Sequence, residues 1–281
     1  MSGRLIVCAT PIGNLGDAAP RLGEALESAD VVFAEDTRRT GTLLRHFAVR
    51  RPLRSFFVGN EEERSRELTQ RLESGETVVL VSDAGTPGVS DPGVAAVRAA
   101  RAAGAVIEVI PGPSAVTAAL AVSGFSADRF VFEGFLPRRG SIRQSAVAGL
   151  VGEQRTIVFF AATSRIGRDL TDLAEALGAH RLAMVGRELT KMHEELTWST
   201  LGEAAERWST EPGRGEYTIV IEGAPPPVPS LDAALDDVRE AHAAGVALST
   251  AVRESALRHG VSRRALYERA IAEDRGGSSA S

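Results

Sequence analysis

"VSDAGTPGVSDPG", residues 81–93, contains three glycines and two prolines and almost no side chain large enough to bury. The apolar run Val78-Val79-Leu80-Val81 leads into it, and a helical pattern from Val94 to Ala103 leads out. A strand that ends in such a loop and resumes as a helix is half of a βα unit. Glycines let the main chain come into contact with a ligand, and prolines shape the loop in advance of binding. The composition suits a ligand that takes backbone hydrogen bonds, such as a flat base or a zwitterion, with Asp83 and Asp91 ready to accept from amine or ribose hydroxyls. A purely structural βα connection has the same composition.

Working outward, the first half of the chain alternates apolar runs with helical patterns. Strands are predicted at Leu5–Cys8, Val31–Ala34, Val78–Val81 and Val106–Ile110, with a weaker one near Phe56–Val58. Pro20–Ser28, Thr40–Phe47, Glu62–Ser74 and Val94–Ala103 carry apolar residues at helical spacing. This alternation predicts a mostly parallel sheet covered on both faces, whose ligands sit beyond the carboxyl ends of the strands. "ATPIGNLGD", residues 9–17, follows the first strand, so two polar glycine-rich loops converge on one edge.

"IPGPSAVTAAL", residues 110–120, marks a change: prolines end the fifth strand, and Ser114 is placed to cap a helix. Strands at Phe130–Phe132, Thr156–Phe160, Leu182–Val185, Glu195–Trp198 and Tyr217–Ile221 predict a second, mixed α/β domain with an antiparallel part. "EGAPPPVPS", residues 222–230, is a proline-rich spacer. Three helical patterns follow, the last two joined by Gly-Val-Ser with Ser262 as N-cap. That is helix-turn-helix spacing, shared by a plain packing hairpin. The expected organisation is an N-terminal α/β domain over residues 1–112, a second over 113–224 and a helical module over 225–275, with residues 275–281 disordered.

The composition narrows the function. The chain has 281 residues, 43% of them hydrophobic, with no stretch of about 18 apolar residues, so no membrane span is expected. The N-terminal apolar run is too short for a signal peptide and reads as a strand. One cysteine, Cys8, excludes an internal disulfide framework and suits a reducing, cytoplasmic setting. Net charge is −5, yet residues 34–54, 137–155 and 253–269 are basic islands that could form a phosphate track or simply be solvated helix faces. Of 32 basic residues only Lys191 is lysine, which points to a site needing a compact ammonium.

Familiar motifs are missing. Gly13-Asn-Leu-Gly16 has the wrong spacing for a dinucleotide loop, no Gly-Lys-Ser/Thr triplet exists, and no Cys/His cluster has zinc spacing. No metal site is expected.

"ATPIGNLGD", "AEDTRRTG", "VSDAGTPGVSDPG", "PGPSAVTAALAVSGF", "FEGFLPR" and "RELTKMHEE" occur in that order. From about Leu5 to Glu222 the chain resembles the tetrapyrrole-methylase fold family and, within it, the bacterial 16S ribosomal RNA cytidine-2′-O-methyltransferases. The C-terminal helices resemble the helix-turn-helix module that ends many members. The resemblance implies S-adenosyl-L-methionine as methyl donor, a cleft between two α/β domains, a homodimer, and 16S ribosomal RNA of the small ribosomal subunit as substrate. A small-molecule methyltransferase of the same fold acting on a porphyrinoid is the alternative, and a non-catalytic RNA-binding protein a third. Carried over residue by residue, Asp83, Gly85, Thr86, Pro87 and Val89, with Pro113, Ser114 and Ala115, would cradle the cofactor. The chain departs from the family at Ala161-Ala162-Thr163, where members carry Glu-Ser-Pro. It departs again at "FFVGNE", where members often have a histidine.

Methyl transfer from a sulfonium to a ribose hydroxyl is an in-line displacement that needs alignment and a base, and no metal. Asp36, Glu133 and Glu188 are the candidate bases, each of which could equally be a helix cap or structural ion-pair partner. Lys191 could lower the hydroxyl's pKa or hold a phosphate. Arg38 and Arg39 are expected on RNA phosphates, and the basic islands add Arg138, Arg139, Arg263 and Arg264.

Overall fold

The structure is a computed structural model and describes residues 3–226 and 230–277, with side chains to 272. The chain forms two compact units, residues 1–224 and 225–281. Among the described residues no helix is long and apolar enough to cross a membrane.

The first unit contains two five-stranded sheets. The first holds β1 (Arg4–Cys8), β2 (Val31–Ala34), β3 (Leu53–Ser55), β4 (Thr77–Val81) and β5 (Val106–Ile110) in the order β3-β2-β4-β1-β5. Every pairing is parallel, and β1, β2 and β4 are almost wholly buried, as near-continuous Val/Leu/Ile strands should be. Helices α1 (Pro20–Ser28) and α2 (Thr37–His46) contribute Leu22, Leu26, Leu43 and Leu44 to a core on one face. Helices α3 (Glu61–Glu73) and α4 (Val94–Ala102) contribute Leu68, Leu72, Ala96 and Ala100 to the core on the other. A parallel sheet needs both faces covered because each crossover carries its helix across a face.

The third strand lies at Leu53–Ser55, three residues before the predicted Phe56–Val58. Phe56 is buried because it packs edge-on against Phe33, ring centres 6.2 Å apart, at the end of the sheet. Its neighbours Phe57 and Val58 are exposed in the following turn. The apolar triplet is a plug, not a strand. Helix α2 starts at Thr37, three residues earlier than the periodicity indicates, because Asp36 caps it by accepting from the Arg38 N–H at 2.8 Å.

After α5 (Ala115–Ser123) comes the second sheet: β6 (Phe130–Phe135), β7 (Thr156–Ala161), β8 (Leu182–Arg187), β9 (Glu195–Thr200) and β10 (Tyr217–Ile221), in the order β6-β7-β10-β8-β9. Only β6–β7 is parallel; the other pairings are antiparallel. Ser114 stands at the N-cap of α5, but its hydroxyl makes no capping bond. Helices α6 (Gly140–Ala148), α7 (Ile166–Leu177) and α8 (Leu201–Thr210) cover one face of this sheet. On the other, α5 packs with Val158, Met184 and Val220, and Ile12 of the first-strand loop joins the same cluster.

The second unit carries α9 (Leu231–Ala243), α10 (Leu248–His259) and α11 (Arg263–Gly277) around its own core of Leu235, Val238, Val252 and Leu266. Gly260 ends α10 in the left-handed region and the Ser262 hydroxyl accepts from the Ala265 N–H, so the predicted turn forms. Residues 275–277, expected to be disordered, continue α11. The rest of that segment, 278–281, and residues 227–229 of the spacer lie outside the described residues.

Candidate active site

The carboxyl ends of β1 and β4 are adjacent, and their loops are tied together. Thr10 N–H donates to the Gly85 carbonyl at 2.8 Å and Gly85 N–H to the Thr10 carbonyl at 3.1 Å. Above this bridge opens a cleft of about 370 Å³. One wall is Gly85, Thr86, Val89, Ser90 and Asp91 from the opening loop; a second is Ser114, Ala115 and Val116 at the start of α5. The second sheet supplies Phe135, Phe160, Ala161, Ala162 and Thr163, then Leu189, Lys191 and residues 215–218. A smaller depression of about 240 Å³ adjoins it, lined by Thr10, Gly13, Arg39, Thr40, Asp83 and others, and shares Ile12, Ala84, Lys191 and Glu216 with the cleft. A wider, open groove lies at α7 and α8 and shares only Ala162 and Thr163 with the cleft.

Of the residues read from the sequence as a cofactor cradle, Gly85, Thr86, Val89, Ser114 and Ala115 line the cleft. Asp83 lines the depression instead and braces the neighbouring loop: its Oδ1 accepts from the Asp36 N–H at 2.9 Å, and its Oδ2 lies 3.6 Å from Arg39. Pro87 and Pro113 are not among the lining residues. Pro87 packs against Gly93, and the Pro113 carbonyl faces Gly85.

The arrangement fits a nucleoside bearing a positive charge. Gly85, in the cleft wall, has φ +77°, a backbone conformation that disfavours any side chain, and a Cβ there would lie against Ile12 and the Pro113 carbonyl. Ring edges and faces of Phe135 and Phe160, 5.5 Å between centres, form an apolar wall. In the same lining Asp91 is pushed up to about 6 by burial and then by Glu35, with Asp83 and Glu216 adding to it. Carboxylates crowded this closely favour a cation among them.

Lys191 sits where the cleft and the depression meet. Its Nζ donates to Glu188 Oε1 at 2.8 Å and to Glu216 Oε2 at 2.6 Å. Burial pulls this ammonium down, but the two carboxylates outweigh it and hold its pKa above the ordinary value. Burial likewise pushes Glu188 up, and Lys191 with the Glu216 N–H overrides it, leaving Glu188 below the usual range. The segment that presents Lys191 is strained: Glu188 and Thr190 adopt φ of +51° and +67°, a region costly for residues with a side chain and tolerated where the surroundings impose it. Two glycines make room. A Cβ on Gly13 would overlap the Lys191 stem, and one on Gly215 would overlap the Glu188 carboxyl.

The other candidates are placed differently. Asp36 is committed as a helix cap and as a partner of Arg38, which holds its carboxyl down at about 2 and leaves it a poor proton acceptor. Glu133 is exposed on β6, an edge strand, and lines neither the cleft nor the depression. Glu188 touches Lys191 but lies outside the cleft lining. Arg39 lines the depression, whereas Arg38 points outward. Arg138 and Arg139 are exposed at the start of α6, and Arg263 and Arg264 in the first turn of α11, with Arg264 paired to Glu268 at 2.8 Å.

Sequence reasoning missed Glu216, Tyr217, Thr218, Phe135 and Phe160. The Gly-Glu pair before the apolar run 217–221 was a trace of Glu216, but nothing local pairs it with Lys191, 25 residues away. The Ala161-Ala162-Thr163 departure does line the cleft, and Thr163 donates to the Gly215 carbonyl.

Comparison with known proteins gives the family and the fold. The model of the Tetrapyrrole (Corrin/Porphyrin) Methylases matches residues 4–205. The protein named ribosomal RNA small subunit methyltransferase I from Mycobacterium tuberculosis H37Rv is 45% identical over 270 residues, 95% of this chain and 94% of that one. Its namesake from Synechocystis is 44% identical over 269 residues, 95% and 96% of the two chains. Among solved structures, the methyltransferase CobJ superposes with a TM-score of 0.60 at 23% identity, over 79% of this chain and 95% of that one. Uroporphyrin-III C-methyltransferase from Thermus thermophilus, complexed with S-adenosylhomocysteine, does so with 0.56 at 20%, over 78% and 96%. These two likenesses concern the fold. Matched by the family model over most of the first unit and by close relatives over nearly its whole length, the chain belongs to the tetrapyrrole methylase family and, within it, to the ribosomal RNA small subunit methyltransferases I.

Proposed function

We propose that the protein transfers a methyl group from S-adenosylmethionine to the 2′-hydroxyl of a cytidine in 16S ribosomal RNA, acting on the small ribosomal subunit in the cytoplasm. The relatives named for ribosomal RNA of the small subunit support the substrate class. The observation that carries the chemistry is the meeting of two cavities at a clamped, protonated lysine.

S-adenosylmethionine, when bound, supplies a methyl group made electrophilic by its sulfonium. The chain's residues do the rest. Gly85, Thr86 and Val89 with Ser114 and Ala115 form the cradle, and Asp83, Pro87 and Pro113 hold its shape. Phe135 and Phe160 keep water from the reacting centre. Asp91 and its acidic neighbours complement the positive charge. The depression receives the ribose, with Arg39 and Arg38 on flanking phosphates. Lys191 faces the entering hydroxyl as a fixed cation and stabilises negative charge developing on its oxygen. Glu188 holds Lys191 in place. Arg138, Arg139, Arg263 and Arg264 extend the phosphate contacts. Residues 1–112 and 113–224 act as two domains closing on the cleft, and residues 225–275 as the RNA-binding module.

A homodimer accompanies this reading. Edge strand β5 leaves Val106 and Val109 half or more exposed, which a second copy would cover. Ribose-methylation mapping of 16S ribosomal RNA from strains with and without the gene tests the function. A single cytidine losing its 2′-O-methyl group in the deletion is the expected result, and an unchanged map refutes it.

A further inference from the structure

The proton of the attacking hydroxyl needs an acceptor beside both the methyl group and the ribose. We infer that Glu216 is that acceptor, working as a pair with Lys191. The inference rests on the ribose-methylation reading above.

Place decides between the carboxylates. Asp91 lines the cleft alone and Asp83 the depression alone, while Glu216 lines both. Glu188 is pinned: its Oε1 accepts from the Lys191 ammonium at 2.8 Å and from the Glu216 N–H at 2.9 Å. Its backbone N–H donates to the Glu216 carbonyl at 2.9 Å, so the two residues lock each other's main chain. The Glu216 side chain is 69% exposed while that of Glu188 is 19% exposed. One carboxylate is thus a half-buried anchor for Lys191, and the other is largely open to solvent at the same ammonium. Backbone locking holds Glu216 immediately before β10, a strand paired on both sides, so the acceptor is anchored where a rigid element begins.

In the step, the ribose oxygen forms a bond to the methyl carbon as the carbon–sulfur bond breaks and its electron pair leaves with sulfur. Proton loss runs ahead of carbon–oxygen bond formation within the one step, so the oxygen carries partial negative charge, which the Lys191 ammonium beside it stabilises. The O–H bond breaks toward Glu216, which becomes a neutral acid. Lys191 keeps its proton throughout.

The test uses the full chain and small ribosomal subunits under single turnover, with wild type, Glu216→Gln, Glu216→Ala and Asp91→Asn. Glu216→Gln is expected to retain S-adenosylmethionine affinity within a few-fold and to slow transfer by about 10²–10⁴. It should also lose the acid limb of the pH–rate profile. Added formate should restore part of the Glu216→Ala rate, which a structural role would not allow. A Glu216→Gln enzyme that keeps its rate, or that keeps an acid limb which Asp91→Asn removes, overturns the assignment alone. A wild type that leaves ribose unmethylated overturns the functional reading and the assignment with it.

Discussion

The Lys191 ammonium and the Glu216 carboxylate meet at 2.6 Å where the cleft and the Arg39-lined depression join. A positive and a negative group thus stand side by side at the one place both cavities reach.

Lys191→Arg should keep fold and net charge yet lose activity. The Lys191 stem passes directly over Gly13 and its ammonium bridges Glu188 and Glu216 as a point charge, a role a planar guanidinium on a longer stem does not reproduce. Losing a positioned cation typically costs about 2–4 kcal/mol in the transition state, about 10²–10³ in rate. Single-turnover methylation of ribosomal subunits, with melting temperature as the folding control, checks it. A rate within a few-fold of wild type would make Lys191 a surface cation.

Gly85→Val should weaken S-adenosylmethionine binding beyond detection and lower stability by about 1–3 kcal/mol. The residue is held at φ +77°, which a β-branched side chain resists, so the substitution distorts the loop where it lines the cleft. Calorimetry with S-adenosylmethionine and a denaturant melt read the two effects separately. Retained affinity would remove the opening loop from the cradle.

Asp91→Asn should stabilise the protein at neutral pH. The folded pKa of about 6 lies above the ordinary 3.8, so between those values the folded state binds the proton more tightly than the unfolded chain. Stability then falls as pH rises through this window, the reverse of a salt-bridged carboxylate. One pKa unit is about 1.4 kcal/mol, and partial exposure screens it, so a gain of about 1–2 kcal/mol is expected above pH 7. Urea melts should show the gain vanishing near pH 4.

Asp169→Ala should lower stability by about 1–3 kcal/mol, because the buried Arg143 guanidinium loses the carboxylate 2.8 Å away and keeps only Asp172 and the Pro137 carbonyl. A double variant, Arg143→Met with Asp169→Leu, should recover most of the loss. Equal melting midpoints for wild type and the single variant would refute it.

A chain ending at Ala224 should bind S-adenosylmethionine as the full chain does, since residues 225–281 carry a separate core. Its affinity for 16S ribosomal RNA should fall and its salt dependence flatten, by about one unit of slope for each phosphate that is no longer neutralised. An unchanged salt slope would take α11 out of the RNA interface.

The opening loop and its flanking run were enough to read a βα unit, because a fully apolar strand ending in glycine and proline has few other uses. Repetition of that pattern foretold the parallel sheet, and six ordered motifs foretold the family. These features are local: periodicity, turn chemistry and caps act over a few residues and leave their mark in order along the chain. Even so, Phe56 misled as a strand, since an apolar residue plugging a sheet end looks the same in sequence as one within it.

What only the tertiary structure decided is which polar groups meet. The solitary lysine flagged Lys191, but Glu216 acquires its place through the antiparallel pairing of β8 with β10, which aligns Arg187 with Tyr217 and so sets Glu188 beside Glu216. Asp36 and Glu188 looked alike as candidate bases. One became a cap and the other an anchor because of N–H groups and cations that the fold delivered. Carboxylate chemistry is set by neighbours within a few ångströms, and those neighbours come from strands distant in the chain, so the roles exist only once the sheets have formed.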